Sequence, residues 1–258
     1  MTVIDHPVSA ALSYWFTQYR RTWRSSIYSS FVIPLLWLAA IGYGVGGFID
    51  AGPATLGYAY LSYLAPGLLA TVVFHTAVGE GSFPVYGAIK WNKQYVSMLA
   101  TPLRTGDVVA GHLGFATVRM AMTGVAFFVA MLLFGVVHSP WAPLAVAAAV
   151  LTGLATGTTT YAYATTITSE NRFALLHRFM VVPVTMFSGV FFPIDQLPAV
   201  VRPLAWLSPL WHGVELSRGA VLGVPPALHP ALHVAYLGLW AGLGFLAARR
   251  LLARRLVV

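Results

Sequence analysis

Six long apolar stretches divide this chain and constrain its fold more than any other feature. A helix needs roughly 20 residues to cross about 30 Å of hydrocarbon, and the stretches come close to that length. Only 9% of the residues are charged and 58% are hydrophobic, too few polar groups to cover a water-exposed surface. The sequence therefore predicts an all-α membrane protein with transmembrane helices at about 27–48, 58–80, 107–137, 142–168, 174–193 and 230–248.

The two ends of the chain differ from this apolar core. Residues 1–26 place Tyr14, Trp15 and Trp23 among arginines, a pattern that favours an amphipathic helix lying in the membrane interface. Residues 249–258 form a basic tail. We therefore expect a single domain over the whole chain, with the six-helix core between these ends.

Lysine and arginine are unequally shared between the two sides that six crossings would create. The opposite side carries only Arg202 and Arg218, and basic residues mark the cytoplasmic side. Both termini are therefore expected in the cytoplasm, in a multi-pass protein of the plasma membrane. This bias also accounts for the net charge of +8, and no nucleic-acid partner is expected. The twelve residues on the basic side are Arg20, Arg21, Arg24, Lys90, Lys93, Arg104, Arg172, Arg178, Arg249, Arg250, Arg254 and Arg255.

Two connecting segments are more organised than simple loops. Between Pro84 and Pro102, apolar and polar residues alternate over a helix-sized stretch, which predicts a short amphipathic helix along the cytoplasmic surface. Between Pro193 and Gly223, prolines repeatedly break an apolar sequence. Irregular backbone at membrane depth must be buried in protein or line a cavity, so we expect re-entrant half-helices there, before the last transmembrane helix and on the outer side.

One charged residue falls well inside an apolar stretch. Arg119 lies about 18 Å of helix beyond Asp107, and a charge at that depth marks a functional site by default. Glu80, at the inner end of the second stretch, is the candidate partner. A structural ion pair or a snorkelling arginine would explain the residue equally well.

Glycines recur four residues apart within three of the stretches, a spacing that allows close contact between membrane helices. Such contacts could form a seam between two subunits or ordinary packing within one chain, and the sequence leaves both open. The glycine pairs are Gly42 and Gly46, Gly153 and Gly157, and Gly238 and Gly242.

The motifs of ATP hydrolysis and of metal binding are missing. No G-x-x-x-x-G-K-[ST] loop occurs, and the two lysines, Lys90 and Lys93, follow no glycine run. The chain is therefore not expected to be an enzyme. His212 and Glu215 could share a helix face, but two ligands do not make a metal site, and none is expected.

Three stretches resemble the ABC-2 type permeases, in particular the nodulation protein J and daunorubicin-resistance branch. They are YLSYLAPGLLA, WNKQYVSMLATPLRTGDVVAGH and FSGVFFPIDQLPAVVRPLAWLSPLWHGVELSRGAVLG. The resemblance implies an interfacial helix, six transmembrane helices, a coupling helix before the third and re-entrant half-helices before the sixth. It also implies that two permease subunits pair and sit on two separately encoded ATPase subunits, which bind ATP and Mg.

The same resemblance locates two sets of site residues. The coupling helix falls on 90–101, hereafter the coupling segment. The outer signature falls on 191–198, at the beginning of the proline-rich stretch 193–223, hereafter the interrupted segment. The expected ATPase-coupling residues are Lys90, Trp91, Lys93, Tyr95, Met98 and Thr101. The expected residues of the outer site are Phe191, Phe192, Pro193, Asp195, Pro198, His212 and Glu215.

The favoured function is the permease subunit of an ATP-driven exporter for an amphipathic cargo, such as a lipid-linked oligosaccharide, a glycolipid or a hydrophobic drug. Membrane lipids are expected as further partners. An ion-coupled secondary carrier stays open, although it would need several intramembrane carboxylates and only Glu80 fits that description. A membrane scaffold that moves nothing is the third reading.

Overall fold

The computed structural model describes residues 7–45 and 59–256. Within these ranges all regular structure is helical and no β-strand occurs, so the predicted all-α class is confirmed for the described part of the chain. Predictions that fall on 1–6, 46–58 and 257–258, including the ends of two expected spans, lie outside the described residues.

The helices vary widely in length. In chain order the α-helices of the described ranges are α1 (Pro7–Ala39), α2 (Tyr60–Gly81), α3 (Phe83–Lys90), α4 (Gln94–Leu99), α5 (Thr105–Leu133), α6 (Leu144–Thr166), α7 (Asn171–Leu176), α8 (Val182–Phe187), α9 (Arg202–Trp206), α10 (Pro209–Leu222) and α11 (Pro230–Leu256). A π-helix, Ala40–Val45, continues α1, another, His177–Val181, joins α7 to α8, and a 3-10 turn covers Ile194–Gln196.

Within the described ranges, four helical segments are long and apolar enough to cross a membrane. They are Tyr60–Lys90, Thr105–Leu133, Leu144–Thr166 and Pro230–Leu256, and they match the second, third, fourth and sixth predicted spans. These four predictions are therefore confirmed by length and composition. The total of six crossings stays a prediction.

The first predicted span takes an unexpected form, because α1 is one continuous helix from Pro7 to Ala39. The expected boundary near residue 26, between an interfacial helix and a transmembrane helix, is not a helix end. The sequence explains this, since neither proline nor glycine occurs from residue 8 to residue 33 and nothing there breaks the backbone hydrogen bonds.

The fifth predicted span is shorter and less regular than expected. Its helical part, residues 171–187, consists of α7, a π-helix and α8, and covers only about 26 Å at 1.5 Å per residue. Pro183 follows the π-helix and cannot donate a backbone hydrogen bond. Gly189, at φ +75°, then turns the chain into the interrupted segment.

α6 lies at the centre of the bundle, where it packs against α2, α5, α10 and α11. Small residues make this possible, because a buried alanine or glycine recurs every four residues along one face and lets neighbouring backbones approach. These residues are Ala145, Ala149, Gly153 and Gly157. Threonines on the same helix bond back to carbonyls four residues earlier, which satisfies their buried hydroxyls.

The glycine pairs differ in what they meet. A Cβ added at Gly153 would lie 2.3 Å from Met120 Sδ, and one at Gly157 would lie 3.5 Å from Ala77 Cβ, so this pair serves packing within the chain. Gly238 and Gly242 on α11 meet nothing within 4 Å in the described structure. Gly46 lies outside the described residues.

Candidate functional site

The coupling segment is bent, whereas the sequence predicts a single helix between the flanking prolines. α3 ends at Lys90 and α4 begins at Gln94. Between them Lys93 adopts φ 51°, a left-handed conformation that a continuous right-handed helix excludes. The prediction of one helix is therefore wrong, and two short helices meet at a sharp corner.

This corner presents both apolar and basic side chains at the surface. Trp91 is 54% exposed and Val96 is 48% exposed, and exposed aromatic and apolar groups beside charges are typical of protein interfaces. Of the other predicted coupling residues, Lys90, Lys93 and Thr101 are exposed and Met98 is half-buried.

A groove of about 850 Å³ runs between the coupling segment and the start of α1. Pro7, Ala10 and Tyr14 line it on the α1 side, while Ser97 and Met98 line it on the α4 side. A partner bound to the coupling segment would therefore also touch α1.

Tyr95 departs from the sequence prediction, which placed it on the exposed face of the coupling helix. Its side chain is fully buried, with 0% exposure, because it points between three long helices. Its hydroxyl lies 2.5 Å from His112 Nδ1 on α5, its ring stacks on Tyr161 of α6 at a centroid distance of 6.2 Å, and its edge meets Trp15 of α1 at 6.4 Å. We call Trp15, Tyr95, His112 and Tyr161 the Tyr95 cluster.

Burial also fixes the protonation of this tyrosine. Removal from water raises the pKa of Tyr95 well above its ordinary value, since the phenolate would lose its hydration. A tyrosine hydroxyl is already protonated at physiological pH, and burial only strengthens this, so the hydroxyl can take part in the hydrogen bond with His112.

The two charges that the sequence predicts to pair lie together. Arg119 Nη1 on α5 is 3.4 Å from Glu80 Oε1 on α2, and both side chains are largely buried, with 17% and 14% exposure. The Arg119 guanidinium also lies 4.9 Å from the centre of the Tyr19 ring on α1. The pair thus joins three helices, and its role in function stays a prediction.

A second buried arginine was missed by the sequence argument, which counted Arg218 only as a loop charge. Its Nη2 donates to Gly189 O at 2.8 Å, its Nε donates to Tyr63 O at 3.4 Å, and its Nη1 lies 3.5 Å from Glu215 Oε1. The guanidinium also covers the Tyr63 ring at 3.8 Å. We call Tyr63, Gly189, Glu215 and Arg218 the Arg218 cluster, and the Glu215 to Arg218 spacing of three was its visible signal.

The interrupted segment contains a 3-10 turn, the short helix α9 and the 14-residue helix α10, which packs against α2 and α6. Just before this segment the chain bends at 188–192, where Tyr60 Oη donates to Phe191 O at 3.0 Å. Phe192 and Pro193 are half-buried, whereas Asp195 and Pro198 are exposed. That this backbone lies at membrane depth stays a prediction.

A cavity of about 690 Å³ opens between the interrupted segment, α2 and α11. Its walls combine aromatic rings with charged side chains, a composition suited to an amphipathic ligand. Among the residues that line it are Tyr63, Asp195, Trp206, Trp211, His212, Glu215, Arg218 and Tyr236.

His212 and Glu215 face different partners at this cavity and do not converge on one point. His212 Nδ1 lies 2.8 Å from His233 Nδ1, and its other ring nitrogen lies 3.0 Å from Trp206 O. Glu215 instead faces Arg218 and accepts a hydrogen bond from Ala227 N. Across the described residues, no three His, Asp or Glu side chains come together as metal ligands.

Several apolar helices able to span a membrane, joined by an exposed corner and an interrupted segment, are the features of a polytopic membrane protein. The family model described as ABC-2 type transporter matches residues 8–222, and the chain belongs to this family. It is thus an ABC transporter permease subunit, a transport component that partners ABC ATPase subunits and is not itself an enzyme. This membership favours the permease over the ion-coupled carrier and the scaffold.

Relatives with assigned names agree with this membership. The chain is 29% identical to nodulation protein J of Rhizobium leguminosarum bv. viciae, over 94% of this chain and 95% of that protein. It is 27% identical to nodulation protein J of Rhizobium meliloti strain 1021, over 94% of both chains. It is also 27% identical to the inner membrane transport permease YadH of Escherichia coli K12, over 80% of this chain and 79% of the relative.

Proposed function

We propose that this chain exports an amphipathic cargo across the plasma membrane, as one of two paired permease subunits driven by two separate ATPase chains. ATP and Mg would bind to the ATPase chains, since this sequence has no phosphate loop. The observation that carries the proposal is the exposed corner at Trp91 and Val96, which supplies apolar and basic contacts for a partner.

The position of this corner supports its role in coupling. The coupling segment follows α3 directly and leads into α5 after only a few residues, so both of its ends join candidate membrane spans. A push on the corner would therefore reach two long helices without a flexible linker between them. The groove beside α1 enlarges the surface that an ATPase could contact.

The cargo class is supported by the cavity beside the interrupted segment. Its aromatic walls suit apolar rings or chains, and its carboxylates and arginine suit polar head groups. A lipid-linked oligosaccharide, a glycolipid or a hydrophobic drug would each combine these features. Purifying the complex and identifying bound lipid by mass spectrometry would separate these classes.

The docking role can be tested with charges placed on the exposed corner. Val96→Asp and Met98→Asp would each bury a carboxylate in the interface, so recovery of the ATPase in a pull-down should fall about tenfold or more. Val200→Asp is the matched control, since Val200 is 87% exposed in the interrupted segment. Equal recovery with all three variants would contradict docking at 90–101.

The six-crossing arrangement is part of the same proposal, with both termini and the coupling segment in the cytoplasm. It rests on the unequal distribution of lysine and arginine. The chain has no cysteine, so Gln94→Cys and Gln196→Cys each provide a single labelling site. An impermeant maleimide added to sealed cells should label the Gln196 variant and leave the Gln94 variant unlabelled. Labelling of both from outside would rule the arrangement out.

A further inference from the structure

We propose that Tyr95 is the positioning residue that transmits movement of the coupling segment to the membrane helices. This inference rests on the proposed function, in which an ATPase binds the coupling segment. It concerns a residue that faces away from the ATPase, into the bundle, and it gives that residue a role different from partner contact.

α4 is a short helix that is separated from the helices on both sides of it in the sequence. This helix has only six residues, and it is bounded by the left-handed Lys93 on one side and by a turn before Thr105 on the other. Tyr95 is its one buried residue. Met98 and Leu99 of α4 are half-buried and also pack against this core, so Tyr95 is the α4 side chain that reaches deepest into the bundle.

The Tyr95 side chain reaches three long helices. Its ring meets Trp15 of α1 and stacks at 21° on Tyr161 of α6, while its hydroxyl bonds to His112 of α5. The His112 ring itself packs against Trp15 at a centroid distance of 4.1 Å, with the two ring planes tilted by 31°. Protein interiors are close-packed, so these rings cannot absorb a displacement of α4 without moving.

The Tyr95 cluster adjoins the charge pair of Glu80 and Arg119. His112 and Tyr161 line a small void together with Glu80, and both side chains are buried there. His112 also precedes Arg119 on α5 by about two turns, or ~10 Å. A change at Tyr95 therefore lies one contact away from the pair that joins α1, α2 and α5.

The hydroxyl makes the link directional, since stacking alone would let the rings slide past one another. Tyr95→Phe keeps the buried ring and removes its hydroxyl, and with it the bond to His112. His112→Phe breaks the same bond from the other side and keeps an aromatic ring in place. Two variants that share one lost bond guard against a folding defect in either.

The experiment measures amide hydrogen exchange in the detergent-solubilised complex of this chain with its copurifying ABC ATPase, with the free permease as reference. In the unmodified chain, ATPase binding should slow exchange about tenfold in the α5 amides near His112. In Tyr95→Phe and His112→Phe, ATPase recovery should stay unchanged while this slowing is lost, because the bond that carries it is missing. Tyr163→Phe is the control, since Tyr163 is on α6 and bonds outside the cluster to Arg172 O.

The outcomes separate the two proposals. Slowing that persists in both phenylalanine variants, or an ATPase that binds without slowing exchange in the unmodified chain, would overturn the role of Tyr95. An ATPase that fails to bind the unmodified chain would instead overturn docking at the coupling segment. Loss of slowing in Tyr163→Phe as well would also overturn the specific link, because any tyrosine hydroxyl would then matter.

Discussion

The Tyr95 cluster and the Arg218 cluster fasten short elements to the same bundle by opposite means. Tyr95 holds α4 with aromatic packing and one hydrogen bond to His112. Arg218 holds the turn at Gly189 with a charge that reaches two carbonyls, a carboxylate and a ring. Each buried side chain bridges helices that are distant in sequence.

The two clusters also lie near opposite ends of α2. Tyr63 belongs to the Arg218 cluster, and Glu80, beside the Tyr95 cluster, follows it by about 17 residues, or ~26 Å of helix. A buried guanidinium with several directed bonds resists displacement, whereas packed rings joined by one directed hydrogen bond can move together and pass a push from one helix to the next. We infer that the Arg218 cluster holds the interrupted segment in place and that the Tyr95 cluster allows the coupling segment to move.

The comparison predicts its largest effect at Arg218. Arg218→Ala would strand two carbonyls and Glu215 in a buried site, and it should lower the free energy of unfolding by about 3–5 kcal/mol. Arg218→Lys should restore little of this, since an ammonium cannot match the fork of contacts that a guanidinium makes. Denaturant titration in detergent micelles measures both variants.

Arg202 provides the matched control for that loss. It also donates to two carbonyls in the interrupted segment, those of Leu197 and Asp195, but it is only half-buried. Arg202→Ala should therefore cost about 1 kcal/mol, the usual net value of exposed hydrogen bonds. Equal losses at Arg202 and Arg218 would remove the special status of the Arg218 cluster.

Much of the fold could be predicted because its causes are local. Four spans follow from apolar stretches of sufficient length, and the interrupted segment ends at Gly223, which takes the left-handed conformation favoured at helix ends. The Glu80 and Arg119 pair could be anticipated for a similar reason. Few charges fall within the apolar stretches, so few partners were available to Arg119.

The sequence-based predictions failed where residues distant in sequence decide the local structure. Alternating polarity places Tyr95 on one face of a helix but does not reveal that Trp15 and Tyr161, far away in sequence, cover that face. The continuity of α1 past residue 26 shows a related error, since a change in composition does not end a helix without a breaker. Arg218 was counted only as a basic residue of the outer side, although Glu215 stood one helical turn away.

A smaller effect is expected at the two carboxylates, and here the comparison can be sharpened. Glu80→Gln leaves Arg119 facing a neutral amide between helices, and should lower the free energy of unfolding by about 2 kcal/mol. The double variant Glu80→Gln with Arg119→Gln should lose about 1–2 kcal/mol less than the sum of the losses in the two single variants, because the partners interact directly.

Glu215→Gln should have the least effect of these changes, below about 1 kcal/mol, although it also removes a carboxylate that faces a buried arginine. Arg218 keeps its bonds to Gly189 O and Tyr63 O, and its position over the Tyr63 ring. The glutamine oxygen can still accept the hydrogen bond from Ala227 N. The same titration compares Glu215→Gln with Glu80→Gln. If the Glu215 variant loses as much stability as the Glu80 variant, the carboxylate rather than the carbonyls compensates Arg218, and the contrast between the clusters is wrong.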